Sequence, residues 1–166
     1  MKIYLIGMPG SGKSTLGKQL AAELSMPFVD LDHEIEKRES KSIPQIFNER
    51  GEDHFRLAES QLLREWAGSE KSFVMATGGG APCFHGGIDV LNQTGLTIFF
   101  DVSVNELLNR LEKKSDRPLL KTSDRDELKK RVNAIRESRI ACYQQAKIVV
   151  RNPTMKLLMQ QINLKK

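Results

Sequence analysis

Gly7-Met8-Pro9-Gly10-Ser11-Gly12-Lys13-Ser14 fits the pattern G-x-x-x-x-G-K-[ST] in full. Before it runs the apolar stretch Ile3 to Ile6, and after it Leu16, Leu20, Ala21 and Leu24 recur at helical spacing. That strand-to-helix context gives the pattern its meaning. The glycines allow a tight turn in which backbone amides and a helix N-terminus converge on phosphate oxygens. Gly10, Ser11, Gly12 and Thr15 belong to this cradle, Lys13 brings a point charge to the outer phosphates, and Ser14 offers a hydroxyl to Mg²⁺. The motif implies binding of MgATP or a related nucleotide. It leaves the fate of the phosphate open, because motor ATPases, GTPases, transport ATPases and metabolite kinases share it. A guanine-reading N-K-x-D is missing, and so is an apolar run ending in the acidic pair of larger ATPase modules. Small kinases remain.

Outward from the P-loop, runs of strand length recur at Phe28 to Val29, Phe73 to Met75, Leu96 to Phe100 and Ile148 to Val150, with helical segments between them. The alternation predicts an α/β fold of three layers, a five-stranded parallel sheet between helices. Ser42-Ile43-Pro44 reads as a cap with an early-turn proline and Gly51 as a stop. A longer helix carrying Phe55, Leu62, Leu63 and Trp66 should follow and end at Gly68. Ser103 and Glu106 form a capping-box pattern, and a last long helix is expected from Asp126 to Ala146. Between these, Lys114 to Asp124 is polar and contains proline, which predicts a mobile lid.

With 166 residues and no repeat or linker, residues 1–166 read as one domain. No apolar run approaches the roughly 20 residues of a membrane span. The N-terminus meets a glycine turn too soon for a signal peptide, so a cytoplasmic location is expected. Cys83 and Cys142 are far apart in sequence and read as reduced thiols. The net charge of +5 raises the question of nucleic acid, but the lysines are scattered and several arginines stand beside glycine or proline in expected loops. Anionic small molecules account for the excess equally well.

On the acceptor side, Asp30-Leu31-Asp32 closes the second strand and is expected to set two carboxylates on one side of an extended backbone. Phe55-Arg56 follows at a helix start, then Gly78-Gly79-Gly80 after the third strand, Arg117-Pro118-Leu119-Leu120 in the lid, and Arg139 to Tyr143 as R-x-x-x-Y. Each has a plainer reading: Asp30 and Asp32 as helix caps, Arg56 and Arg139 as solvated charges, the glycines as a turn. Taken together, in this order and spacing over residues 7 to 143, they resemble shikimate kinase.

The resemblance implies a nucleoside-monophosphate-kinase-like fold with a closing lid, and transfer of the terminal phosphoryl group of MgATP to the 3-hydroxyl of shikimate in aromatic amino-acid biosynthesis. It assigns Arg56 and Arg139 to the substrate carboxylate. Asp32 takes the hydroxyls and can accept the reacting proton, while Asp30 steers the Mg²⁺ hydration shell. Gly78, Gly79 and Gly80 line the substrate. Arg117 stands over the transferring phosphoryl group, and Arg110 and Arg151 flank the adenine. A monomer acting on ATP and shikimate, without nucleic acid or membrane, is the expectation. Pro82 departs from the family, which favours a small aliphatic residue there. Two rivals are a kinase for another polyol acid, such as gluconate, and a nucleic-acid-associated ATPase.

A lid residue that arrives with closure stabilises the transition state more than the bound substrates. Arg117→Ala is therefore expected to lower kcat strongly with only a modest rise in the acceptor KM. Steady-state kinetics check this, and a change in KM alone would remove Arg117 from catalysis.

Overall fold

The computed structural model describes residues 1–113 and 124–163. The expected lid, with Arg117, lies outside the described residues except for Asp124. Twelve elements follow one another: β1 (Lys2–Ile6), α1 (Lys13–Glu23), β2 (Phe28–Asp30), α2 (Leu31–Glu39), α3 (Ile43–Gly68), β3 (Phe73–Ala76), α4 (Gly87–Thr94), β4 (Leu96–Asp101), α5 (Val104–Leu111), α6 (Arg125–Tyr143), β5 (Ile148–Arg151) and α7 (Met155–Asn163). The strands form one five-stranded sheet in the order β2-β3-β1-β4-β5. Every pairing is parallel, with Leu5 opposite Ala76 on one side and Ile98 on the other.

Alternate residues of the strands face opposite layers. Ile3, Leu5, Val74, Ile98 and Phe100 pack with Leu20 of α1 and with Leu158 and Ile162 of α7. Tyr4, Ile6, Phe73, Met75 and Phe99 join the other core, with Ile35 of α2, Leu62 and Leu63 of α3, Leu107 of α5 and Val132 of α6. Central parallel strands covered on both faces need such continuous apolar runs.

Local chemistry sets the helix ends. Ser42 accepts from the Gln45 amide while the Gln45 side chain accepts from the Ser42 amide, a complete capping box with proline in the first turn. Gly51 breaks helical geometry within α3 (φ 82°, ψ 172°), so Phe55 and Arg56 lie in the turn after the break. At Ser103 half of the expected box is made: its hydroxyl accepts from the Glu106 amide, but the Glu106 carboxylate takes Arg110 instead. Helix α6 runs from Arg125 to Tyr143 rather than from Asp126 to Ala146. Trp66 is half-buried, edge-on to Phe73 with ring centres 5.4 Å apart.

Two truncations compare the main stabilising effects. Leu20, fully buried under β1, should cost about 3 kcal/mol as Leu20→Ala through transfer and cavity losses. Ser42→Ala should cost about 1 kcal/mol through the lost cap. Urea unfolding checks that order.

Candidate active site

The turn from β1 into α1 is shaped by Gly12, whose φ of 92° suits a residue without Cβ and which serves as N-cap of α1. Lys13 is almost fully buried, and its ammonium group donates to the carbonyls of Gly7 (2.8 Å) and Met8 (2.9 Å). The loop thereby holds the cation across its own mouth. Arg110 reaches the same loop from α5, donating to the Gly10 carbonyl at 3.3 Å while Glu106 holds its Nε. A cavity of about 460 Å³ opens here, lined among others by Lys13, Ser14, Thr15, Asp32, Gly79 and Arg110.

The Ser14 hydroxyl donates to Asp30 Oδ2 at 2.8 Å. Asp30 is also the N-cap of α2, accepting from the His33 amide, so its capping reading holds. The expected extended D-x-D needs correction: the strand stops at Asp30, and Asp32 lies in the first turn of α2. The helical turn, rather than an extended backbone, carries Asp32 to the cavity wall.

Gly78, Gly79 and Gly80 each meet a different charged side chain. A Cβ built on Gly78 would stand 2.6 Å from Glu59 Oε1 and 2.7 Å from Asp32 Oδ1. One on Gly79 would stand 3.1 Å from Arg139 Nη1, and one on Gly80 would overlap the Arg56 guanidinium. This segment is thus more than a turn, because it lets backbone pass between two buried cations and two carboxylates. Arg56 is 5% exposed, and its Nη1 donates to Glu59 Oε2 at 2.8 Å. Its guanidinium also meets Glu52 at 3.3 Å and stacks over the Phe84 ring, 4.3 Å from the centroid. Arg139 is 7% exposed, and one turn on, the Tyr143 hydroxyl donates to the Gly79 carbonyl at 2.6 Å. Burial pushes the Tyr143 hydroxyl well above the usual range. The solvated reading of both arginines therefore fails.

The family model for shikimate kinase matches residues 9–163. The chain belongs to the shikimate kinase family. The shikimate kinase of Bacteroides fragilis is 43% identical over 150 residues, covering 90% of this chain and 83% of that protein. The crystal structure of the Bacteroides thetaiotaomicron enzyme superposes with a TM-score of 0.86 at 41% identity, over 92% of this chain and 86% of that one. The Acinetobacter baumannii shikimate kinase in complex with shikimate gives 0.90 at 31% identity, over 99% and 92%. Membership brings ATP and a divalent ion, and the Ser14 hydroxyl beside the Asp30 carboxylate supplies the hard oxygen donors such an ion takes.

Other expected site residues are placed less centrally. The Arg151 side chain is 87% exposed, 3.7 Å from Asp101, and stands outside the cavity lining. Cys83 and Cys142, distant in sequence, are in side-chain contact, which pushes the Cys83 thiol up and holds Cys142 below its usual value. Of the histidines, His54 meets Glu39 at 3.2 Å and the backbone carbonyl of His85 accepts from Arg64. Pro82 shapes its loop, its carbonyl accepting from the Ile88 amide at 2.7 Å. No helix among the described residues is long and apolar enough to cross a membrane. Sequence reading overlooked Glu59 and Phe84. Glu59 was detectable, since it follows Arg56 by three residues on a helix, the spacing of an ion pair.

Burial raises the Glu59 carboxyl to about 7, against the opposing pull of Arg56. A raised carboxyl binds more protons folded than unfolded, so its ionisation weakens the fold as pH climbs from about 4.5 to about 7. Removing Arg56 takes away the hydrogen-bonded one of the two cations beside Glu59. Arg56→Ala should therefore destabilise by about 3 kcal/mol at pH 8 and by less at pH 5, as read from urea unfolding.

Proposed function

We propose that this chain transfers the terminal phosphoryl group of ATP to the 3-hydroxyl of shikimate, giving shikimate 3-phosphate and ADP in chorismate biosynthesis. The observation that carries this reading is the buried pair Arg56 and Arg139 folded around Gly79 and Gly80, with Asp32 across Gly78 and the P-loop beside it. A small acid with hydroxyls meets cations at one end and a carboxylate at the other. Planar guanidinium forks suit the acid, and a carboxylate suits the hydroxyls. Fixing both ends leaves one hydroxyl facing the phosphates, which converts a bimolecular encounter into a positioned one.

In this reading the amides of Gly10 to Thr15 and the Lys13 ammonium hold the phosphates. Arg110 covers the nucleotide from α5, and Arg117 closes over it from the lid. We assign Arg151 to the outer edge of the adenine site. Ser14, with Asp30 acting through water, would hold Mg²⁺, which supplies charge neutralisation between phosphate oxygens. Asp32 orients the reacting hydroxyl and takes its proton as the oxygen–phosphorus bond forms. We also read residues 1–166 as one catalytic domain, a cytoplasmic monomer whose basic balance serves anionic metabolites rather than nucleic acid.

A coupled ADP-release assay with shikimate, gluconate, nucleoside monophosphates and nucleic acid should give turnover with shikimate alone. Within it, Asp32→Asn should lower kcat at least about a hundredfold while leaving nucleotide affinity nearly intact, the range of a lost general base. An equal loss of nucleotide affinity would move Asp32 to the metal site. Arg56→Ala and Arg139→Ala should each raise the shikimate KM about tenfold or more, because each charged hydrogen bond contributes about 1.5–3 kcal/mol.

A further inference from the structure

Glu59 is the least accommodated charge among the described residues. It is 1% exposed, and Oε1 is the single buried side-chain N or O atom there without a hydrogen-bond partner. Its Oε2 accepts from Arg56 at 2.8 Å. The groups that face it come from each element packed around it. Arg56, itself bonded to Glu52, belongs to its own helix α3, Arg139 comes from α6, and Asp32 comes from α2. Gly78 of the loop after β3 separates its Oε1 from Asp32 Oδ1. Two cations therefore hold Glu59 ionised, while burial and the Asp32 charge oppose ionisation.

Those same two cations are the ones assigned above to the substrate carboxylate, and this inference rests on that assignment. A carboxylate docked on Arg56 and Arg139 adds a negative charge next to Glu59 and shares the cations that stabilise it. It also displaces water from a site where the effective dielectric is already low. Each effect disfavours a second anion. We propose that Glu59 is a proton-coupled positioning residue, which takes up a proton as the substrate carboxylate occupies Arg56 and Arg139. Ionised, Glu59 holds the Arg56 fork in the empty pocket. Protonated, it releases the full guanidinium charge to the incoming acid. Buried arginine is thus kept paired in both states, and neither state leaves a bare charge in the interior.

The sign is fixed by linkage. Binding that takes up a proton weakens as pH rises, from the pKa of the empty pocket, about 7, up to that of the occupied one. A shift of about one unit between the two states makes roughly a tenfold change in affinity. Shikimate does not contribute protons itself, since a carboxylic acid with an ordinary pKa of about 4 is fully ionised at neutral pH.

Calorimetric titration of shikimate into the nucleotide-free protein near pH 7.5, in HEPES and in Tris, counts protons from the difference in heats. The expected result is uptake of about half a proton per site, with a dissociation constant that rises roughly tenfold from about pH 6 to about pH 9. Glu59→Gln keeps the shape and the hydrogen bond to Arg56 without the titration, and should abolish the uptake and flatten the profile. Binding with no proton exchange in the unaltered protein would overturn the proposal, as would uptake that persists in E59Q. The first of these needs no variant to fold. A purely structural Glu59 would change stability without moving the proton count. Shikimate that failed to bind in either buffer would overturn the proposed function and this inference together, whereas proton-free binding would overturn this inference alone.

Discussion

Five parallel strands deliver their carboxyl ends to one edge of the sheet, and the site depends on that constraint. The P-loop leaves β1 there, Asp30 closes β2, and Gly78 to Gly80 follow β3. Residues separated by tens of positions reach one cavity because the sheet aligns where their strands stop. Parallel pairing also requires a crossover after each strand, so every strand end is followed by a turn or a helix start whose backbone groups are still unsatisfied. A side-chain carboxylate satisfies one of them where Asp30 accepts from the His33 amide at the start of α2.

At that edge the polar machinery is buried to an unusual degree. Lys13, Arg56, Arg139 and Glu59 are all buried, whereas charged side chains are rarely buried unless paired. Pairing here is asymmetric. Arg56 is held by two carboxylates and an aromatic face, while Glu59 is held on one oxygen alone. That asymmetry is what the proposed acceptor pocket draws on, a paired cation fork beside a carboxyl that is only half satisfied. Surface ion pairs such as Arg38 with Glu65 or Arg131 with Glu127 have no such leverage, because water screens them.

Much of this was legible in the chain itself. The P-loop, the strand runs and the Ser42 cap are local patterns, fixed by backbone sterics and by hydrogen bonds between near neighbours. The family resemblance added the residues proposed for the acceptor, each recognisable by type and order. Helices α4 and α7 went unread: Gly86-Gly87 resembles a turn, and the stripe Met155, Leu158, Met159 and Ile162 of α7 has helical spacing but lies in a helix only nine residues long. Their apolar faces acquire meaning when Leu91 and Leu158 meet the sheet.

By itself the sequence determined the phosphate cradle, the α/β alternation and the inventory of charges, because these rest on contacts within a few residues of one another. Tertiary structure alone decided how deeply those charges lie and which meets which. It set Gly80 against Arg56, Gly79 against Arg139, Cys83 against Cys142, and Glu59 beside Asp32. It also carried Asp32 into the cavity on a helical turn and left Arg151 at the exposed edge of β5. The physical reason is that burial and charge pairing depend on distances between elements, and sheet register and helix packing fix those distances, which no local stretch of sequence encodes.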